Sequence, residues 1–126
     1  MNALNTSMAL AASGMQAQAT RLRLTSENIA NADTPGFHRK TVMFRDAVEG
    51  DRVTLGPVRL DPTAPDRIYD PAHPLADATG HYRGSNVDLL VEIADAREAQ
   101  RSYEANLKMF DQARQMSSGL MELLRR

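Results

Sequence analysis

Few residues in this chain are of a type and spacing that could do chemistry. Three histidines, His38, His73 and His81, are accompanied in the sequence by Asp70 and Asp77. Imidazole with carboxylate is a zinc donor set, but the histidines lack the four-apart helical spacing that converges ligands on one ion, and two stand beside turn-forming residues. They read as solvated or hydrogen-bonded loop side chains, so no metal and no cofactor is expected. Ser7, Ser13 and Ser26 lack the glycine framework of a nucleophile elbow and a nearby histidine. The carboxylates are scattered without the pairing that acid–base catalysis needs. There is no cysteine, which excludes a thiol nucleophile, a disulfide framework and thiolate metal sites. Arg21, Arg23, Arg39 and Lys40 could hold a phosphate, but with a net charge of −1 a solvated basic face is the plainer reading. Neither a nucleic-acid partner nor catalysis is expected.

The elements around these residues are more informative. From Ala3 to Ala32 a seam of alternating four- and three-residue steps runs through Leu4, Met8, Ala11, Met15, Gln18, Leu22, Thr25 and Ile29. That spacing predicts one amphipathic helix, roughly 40 Å long. Its other faces carry Ala, Ser, Thr, Gln and Asn with few charges, as if contacted on more than one side. A second seam runs through Leu89, Ile93, Ala96, Gln100, Tyr103, Leu107 and Phe110. It then changes phase to Met109, Ala113, Met116, Leu120 and Leu123, in the manner of a stutter. Ser85 with Asp88 predicts a capping-box start for this helix, and Glu104 with Lys108 a favourable four-apart pair. Between the helices lie all six prolines and five of the seven glycines. The pairs Val42 and Phe44, Val53 and Leu55, and Val58 and Leu60 have the alternation of short strands. Asp70 to Pro74 reads as an extended or turn segment.

The chain therefore divides into a core helix over 1–32, a turn motif and β-rich insertion over 33–84, and a second core helix over 85–126. The expected fold is mainly α, with two long terminal helices packed antiparallel as a coiled coil and a small β-rich or loop insertion between them. Seam burial alone does not offset the entropy of ordering so long a pair, so the helices are expected to draw stability from other chains. Gln18 and Gln100 interrupt the seams. Each is either a glutamine at a loosely packed seam or a register-setting residue. No apolar run approaches the length of a membrane span, so no membrane insertion is expected. Residues 1–20 hold no Lys or Arg, so a cleaved secretory signal is not expected either.

The first helix ends in Ser26-Glu27-Asn28-Ile29-Ala30-Asn31-Ala32-Asp33-Thr34-Pro35-Gly36-Phe37. Asn31 suits the left-handed conformation that closes a helix, and Asp33 can bond its own backbone two residues on. Pro35-Gly36 suits the centre of a type II turn, and Phe37 offers a ring to dock on the helix. This string resembles the N-terminal signature of the flagellar rod, hook and hook-associated proteins, in which an asparagine-rich helix end precedes Thr-Pro-Gly and an aromatic. Tyr69 to Pro74 with Ala76, Asp77 and Gly80, and Arg101 to Leu107 with Phe110, Ala113 and Met116, are similar to the middle and C-terminal segments of proximal rod members of that family. Ser85-Asn86-Val87 stands where those members carry Pro-Asn-Val, and the stretch from Arg45 to Val58 is short.

The resemblance implies a structural subunit of the flagellar basal-body rod. It would assemble helically with other rod proteins and copies of itself and transmit motor torque. It also implies passage through the flagellar type III export apparatus without a cleaved signal, and a place in the rod within the periplasm. A cytoplasmic coiled-coil adaptor or export-chaperone module is the competing reading. Within the family, the small rod protein that joins the export gate is a further rival, against which the Tyr69 to Pro74 and Arg101 to Leu107 strings argue.

Overall fold

The computed structural model describes residues 3–45 and 52–125. Two long helices, α1 (Ala3–Ala30) and α2 (Leu89–Leu124), pack antiparallel, with short strands between them. The direction is plain from the contacts: Asn28 meets Glu92, Arg21 meets Asp95 and Glu98, and Gly14 meets Asn106. The expected fold, mainly α with a small strand-containing insertion, is the one observed.

The helix ends differ from expectation in detail. Among the described residues only Gly36 and Gly80 have positive φ, so Asn31 does not close α1 in the left-handed conformation. Its side-chain amide instead donates to the Glu27 carbonyl at 2.8 Å, satisfying one of the acceptors that a helix end leaves open. At the start of α2, Asp88 alone is the cap, accepting from the Leu90 amide at 3.0 Å. Ser85 is buried and donates to the Ala32 carbonyl, tying the entry of α2 to the exit of α1. Among the described residues Glu104 and Lys108 form no ion pair, and the ion pair within α2 is Asp111 with Arg114, 3.7 Å.

The first part of the insertion is one long two-stranded ribbon. β1 (Lys40–Thr41) pairs with β4 (Arg59–Leu60), and β2 (Phe44–Arg45) with β3 (Thr54–Leu55), both antiparallel. Between the pairs Thr41–Arg59 and Phe44–Leu55, two residues on one strand face three on the other. This is a bulge, and Pro57, which cannot donate to a ladder, sits in it. The ribbon runs back along α1, where the Val53 amide donates to Ser13 Oγ at 2.8 Å. Residues 46–51, part of the stretch between Arg45 and Val58, lie outside the described residues.

A second hairpin, β5 (Arg67–Tyr69) with β6 (His81–Arg83), was not legible as strands. Its connection contains the expected turn at Asp70 to Pro74, with the His73 amide bonded to the Asp70 carbonyl at 3.0 Å. Asp77 caps the other side of the loop. It accepts from Thr79 Oγ1 (2.6 Å), the Thr79 amide (2.9 Å) and the His81 amide (3.2 Å). These bonds, the Thr79 hydroxyl first, hold its carboxyl down from 3.8 to about 2.

Candidate functional site

The turn after α1 is built as its residues dictate. The Phe37 amide donates to the Thr34 carbonyl at 3.2 Å, Pro35 sits at the first central position and Gly36 at the second, with φ +74°. This is a type II turn, in which the second central residue must take positive φ. The Gly36 amide donates to the Gly84 carbonyl at 2.9 Å, so the turn is fastened to the entry of α2. Thr34 Oγ1 donates to Asn31 Oδ1 at 3.0 Å. Asp33 is exposed and makes no bond of its own among the described residues. Phe37 is half-buried.

Behind the turn lies a polar cluster that joins all three parts of the chain. Asn28 is fully buried on α1. Its amide donates to Glu92 Oε2 (3.2 Å) and to the Lys40 carbonyl (3.0 Å), and its carbonyl accepts from the Lys40 amide (2.8 Å). One side chain thus acts as an extra strand for β1 while holding α2. Glu92, also fully buried, receives Arg39 Nε at 2.5 Å. Arg39 reaches Asp95 at 3.4 Å and Asp61 at 3.6 Å as well. Burial works to lower the Arg39 pKa, but the hydrogen bond and charge of Glu92, with the charges of Asp95 and Asp61, outweigh it and raise it above the ordinary value. Asn86 completes the knot. Its Oδ1 accepts from the Arg39 amide (2.6 Å), and its amide donates to the carbonyls of Asp61 (3.0 Å) and Thr63 (2.9 Å). Lys40 pairs with Glu27 at 3.0 Å and, with Arg23, lowers that carboxyl's pKa. The basic group read from the sequence is therefore engaged by carboxylates of the same chain. Of this cluster, sequence reasoning singled out Asn28, named Asn86 only within the Ser85-Asn86-Val87 motif, and missed Glu92. The signal for Glu92 was a polar residue one step before the seam position Ile93.

The line of closest packing between the helices coincides only in part with the seam: Ala11, Gln18 and Thr25 on α1 and Ala113 on α2 are buried, but the rest of the line lies one residue before the remaining seam positions. On α1 it passes through Gly14, Arg21 and Asn28, and on α2 through Glu92, Ala99, Asn106 and Ala113, with Ala11 and Ala17 beside it. Small residues let the backbones approach: a Cβ on Gly14 would lie 2.8 Å from Asn106 Oδ1. Met15, Leu22 and Ile29 each follow a core-line residue on α1, and Ile93, Gln100 and Leu107 each follow one on α2. One residue is a rotation of about 100° in the same sense on each helix. In an antiparallel pair that sense leads to one common face, so the two seams lie side by side on the same surface of the hairpin. Of the seam residues, Ala11, Gln18, Thr25 and Ala113 are buried, while Leu4, Met8, Met15, Leu22 and Phe110 are half-buried. Ile29, Leu89, Ile93, Gln100, Tyr103, Leu107, Met116 and Leu120 are exposed. Gln18 is 8% exposed and its Oε1 has no hydrogen-bond partner among the described residues; it does not face solvent, whereas Gln100 does.

The phase change read as a stutter also has a physical meaning. Met109, Met116 and Leu123 precede or follow the core line on the opposite rotational side from Leu107. The apolar surface of α2 therefore crosses from the seam face to the other face near its middle. At the open end of the hairpin, Ala3, Leu4 and Asn5 with Leu120, Met121 and Leu124 line an apolar cleft of about 500 Å³. Leu120 and Leu124 are 53% and 83% exposed there.

The histidines are placed apart. His38 Nδ1 lies 2.7 Å from the Asp61 carbonyl oxygen, His73 stacks on Tyr82 with ring centroids 3.8 Å apart, and His81 lies 5.1 Å from the Tyr69 ring. Among the described residues no group of three or more His, Asp or Glu side chains is placed to hold a metal ion, and no helix is long and apolar enough to cross a membrane.

Comparison with known proteins agrees with this architecture. Residues 8–38 match the family described as "Flagella basal body rod protein", and residues 78–123 match "Flagellar basal body rod FlgEFG protein C-terminal". The chain is 43% identical to the flagellar basal-body rod protein FlgC of Agrobacterium fabrum, over 99% of this chain and 98% of that one. It is 37% identical to FlgC of Yersinia enterocolitica (81% and 84% covered) and 38% identical to FlgC of Aquifex aeolicus (80% and 82%).

Proposed function

Because the chain belongs to the flagellar basal-body rod protein family and is a structural rod subunit, we propose that it is laid into the proximal part of the rod within the periplasm. There it would assemble helically with other rod proteins and with copies of itself and carry motor torque without catalysing a reaction. The single observation that carries the assembly reading is the exposed apolar seam. A helix pair that buries Gly14, Ala99, Asn28 and Glu92 while leaving Leu89, Ile93, Tyr103 and Leu107 open to water is built to be covered by neighbours. In this reading Asn28, Asn31, Asp33, Thr34, Pro35, Gly36 and Phe37 fix the angle at which the insertion leaves the helical core. The units 1–32 and 85–126 form that core, and 33–84, whose ribbon lies along α1, presents its outer surface to adjoining subunits. Passage through the flagellar type III apparatus, without a cleaved signal, suits a chain with no disulfide and an open-ended helix pair. An adaptor or export chaperone is not favoured, since the curated relatives are themselves named as rod proteins.

The test is quantitative mass spectrometry of purified detergent-resistant hook–basal bodies against whole-cell lysate. Enrichment at fixed stoichiometry to other rod proteins is expected. A protein that stays in the cytoplasm and is absent from that assembly would overturn the reading.

A further inference from the structure

The hairpin has two apolar faces, and they are different. The seam face extends from the insertion end along both helices, with Tyr103 and Leu107 near the middle of α2. The opposite face is covered toward the insertion end by the ribbon, which reaches at least to Ser13. Beyond that point it presents Leu10, Met109 and Met116, which are 40%, 53% and 60% exposed. A surface that is apolar on both sides, at different heights along the axis, cannot be closed by a two-fold pair, which would cover one side and leave the other bare.

The charges on the outer edge of α2 say which surfaces fit. Glu104 and Asp111 lie on the rim beside the seam face, by the same count of about 100° per residue. Arg101 and Lys108, with Glu122 toward the open end, lie on the rim beside the opposite face. Asp111 is shared with Arg114 at 3.7 Å, and Arg97 stands on the acidic rim nearer the insertion end. Glu104, Arg101 and Lys108 make no ion pair among the described residues. Seam face against seam face with α2 on α2 about Glu104 would set Glu104 on Glu104. Seam face against the opposite face of a second copy sets Glu104 near Arg101 and Lys108.

We propose that the two faces are the two halves of one head-to-tail contact between copies of this chain, the seam face of one copy seating on the Met109–Met116 side of the next, displaced along the helix axis. This rests on the rod-subunit reading and adds which surfaces meet. Such a contact repeats without closing, and it generates a helical stack from one kind of interface.

The chain has no cysteine, so introduced thiols report one contact at a time. Full-length Leu107→Cys and Met116→Cys proteins are to be co-expressed and basal bodies isolated and oxidised. A disulfide-linked dimer of this chain is expected from the mixture and lost from either variant alone. A dimer formed by Leu107→Cys alone would overturn the proposal in favour of a two-fold contact. Incorporation into basal bodies with crosslinks only to other rod proteins would overturn it while leaving the rod-subunit reading intact, and failure of the wild-type chain to enter basal bodies would sink that reading instead. As a second arm, Glu104→Lys and the double change Arg101→Glu with Lys108→Glu should each reduce the number of copies per basal body when present alone. A mixture of the two proteins should restore it. Absence of restoration, with both variants folded by circular dichroism, would contradict the charge assignment.

Discussion

The two ends of the helix hairpin solve the same problem in opposite ways. At the insertion end, Asn28, Glu92, Arg39 and Asn86 satisfy one another with hydrogen bonds and ion pairs inside a single chain. At the open end the residues are Leu4, Leu120, Met121 and Leu124 around an apolar cleft. A buried polar cluster is costly unless every member is paired, and it tolerates only one arrangement. An apolar cleft tolerates many partners and gains from whichever excludes water. The insertion end therefore specifies the fold of one subunit, and the open end leaves stability to be supplied by assembly.

The contrast can be broken most strongly at Glu92. Glu92→Gln removes the charge that Arg39 Nε meets, and breaking a buried pair of this kind should cost ~3 kcal/mol, the lower part of the usual range because Asp95 and Asp61 remain near Arg39. Urea denaturation followed by circular dichroism measures it, and a change below the noise would remove the cluster from its specifying role. Gly14→Ala should cost ~2 kcal/mol, since the new methyl meets Asn106, which is itself held to the Ser102 carbonyl at 2.9 Å. The same denaturation, compared with Gly119→Ala where no neighbouring atom is met, isolates the close approach. Gln18→Leu should stabilise the isolated chain by about 1 kcal/mol by removing an orphaned carbonyl oxygen, whereas Gln100→Leu, at an exposed position, should change little. If Gln18 sets register, the stabilised variant should also assemble wrongly, as seen by counting basal bodies; normal basal bodies would leave it a packing residue only. At the open end Leu124→Ser should leave monomer stability within about 0.5 kcal/mol while lowering incorporation into basal bodies.

The smallest effect is one of pH. Asp77 has its carboxyl lowered from 3.8 to about 2, so its contribution to the β5–β6 loop is complete above pH 3.8 and is lost as the pH falls through about 2. NMR titration of the His81 amide should report a midpoint near that value. A midpoint at the ordinary carboxylate position would mean that the three bonds to Asp77 do not persist in solution.

Much of the architecture was legible because it rests on strong local rules. Helix length followed from the seam spacing, and the Thr34 to Phe37 turn from proline and glycine at its centre. The choice of packing face was legible only in part. Ala11, Gln18, Thr25 and Ala113 are buried as the seam implies, but the helices also approach through Gly14, Ala99 and the buried pair Asn28–Glu92, one residue out of phase with the seam positions Met15, Gln100, Ile29 and Ile93. Nothing in hydrophobic patterning separates a face that meets the partner helix from one that meets another molecule. The β5–β6 hairpin was missed for a related reason: Arg67, Ile68 and Tyr69 are all exposed, so no inside–outside alternation was there to read. Asn86 and Glu92 needed the third dimension, since each acts on residues more than forty positions away.

One end of the hairpin is self-sufficient and the other awaits neighbours, and residue-resolved hydrogen exchange on the isolated full-length chain distinguishes them. Slow exchange is expected for amides around Asn28, Lys40 and Glu92, rapid exchange in α2 beyond Ala113, and protection of that segment once the chain is in the rod. Equal protection along the whole of α2 in the isolated chain would contradict this division.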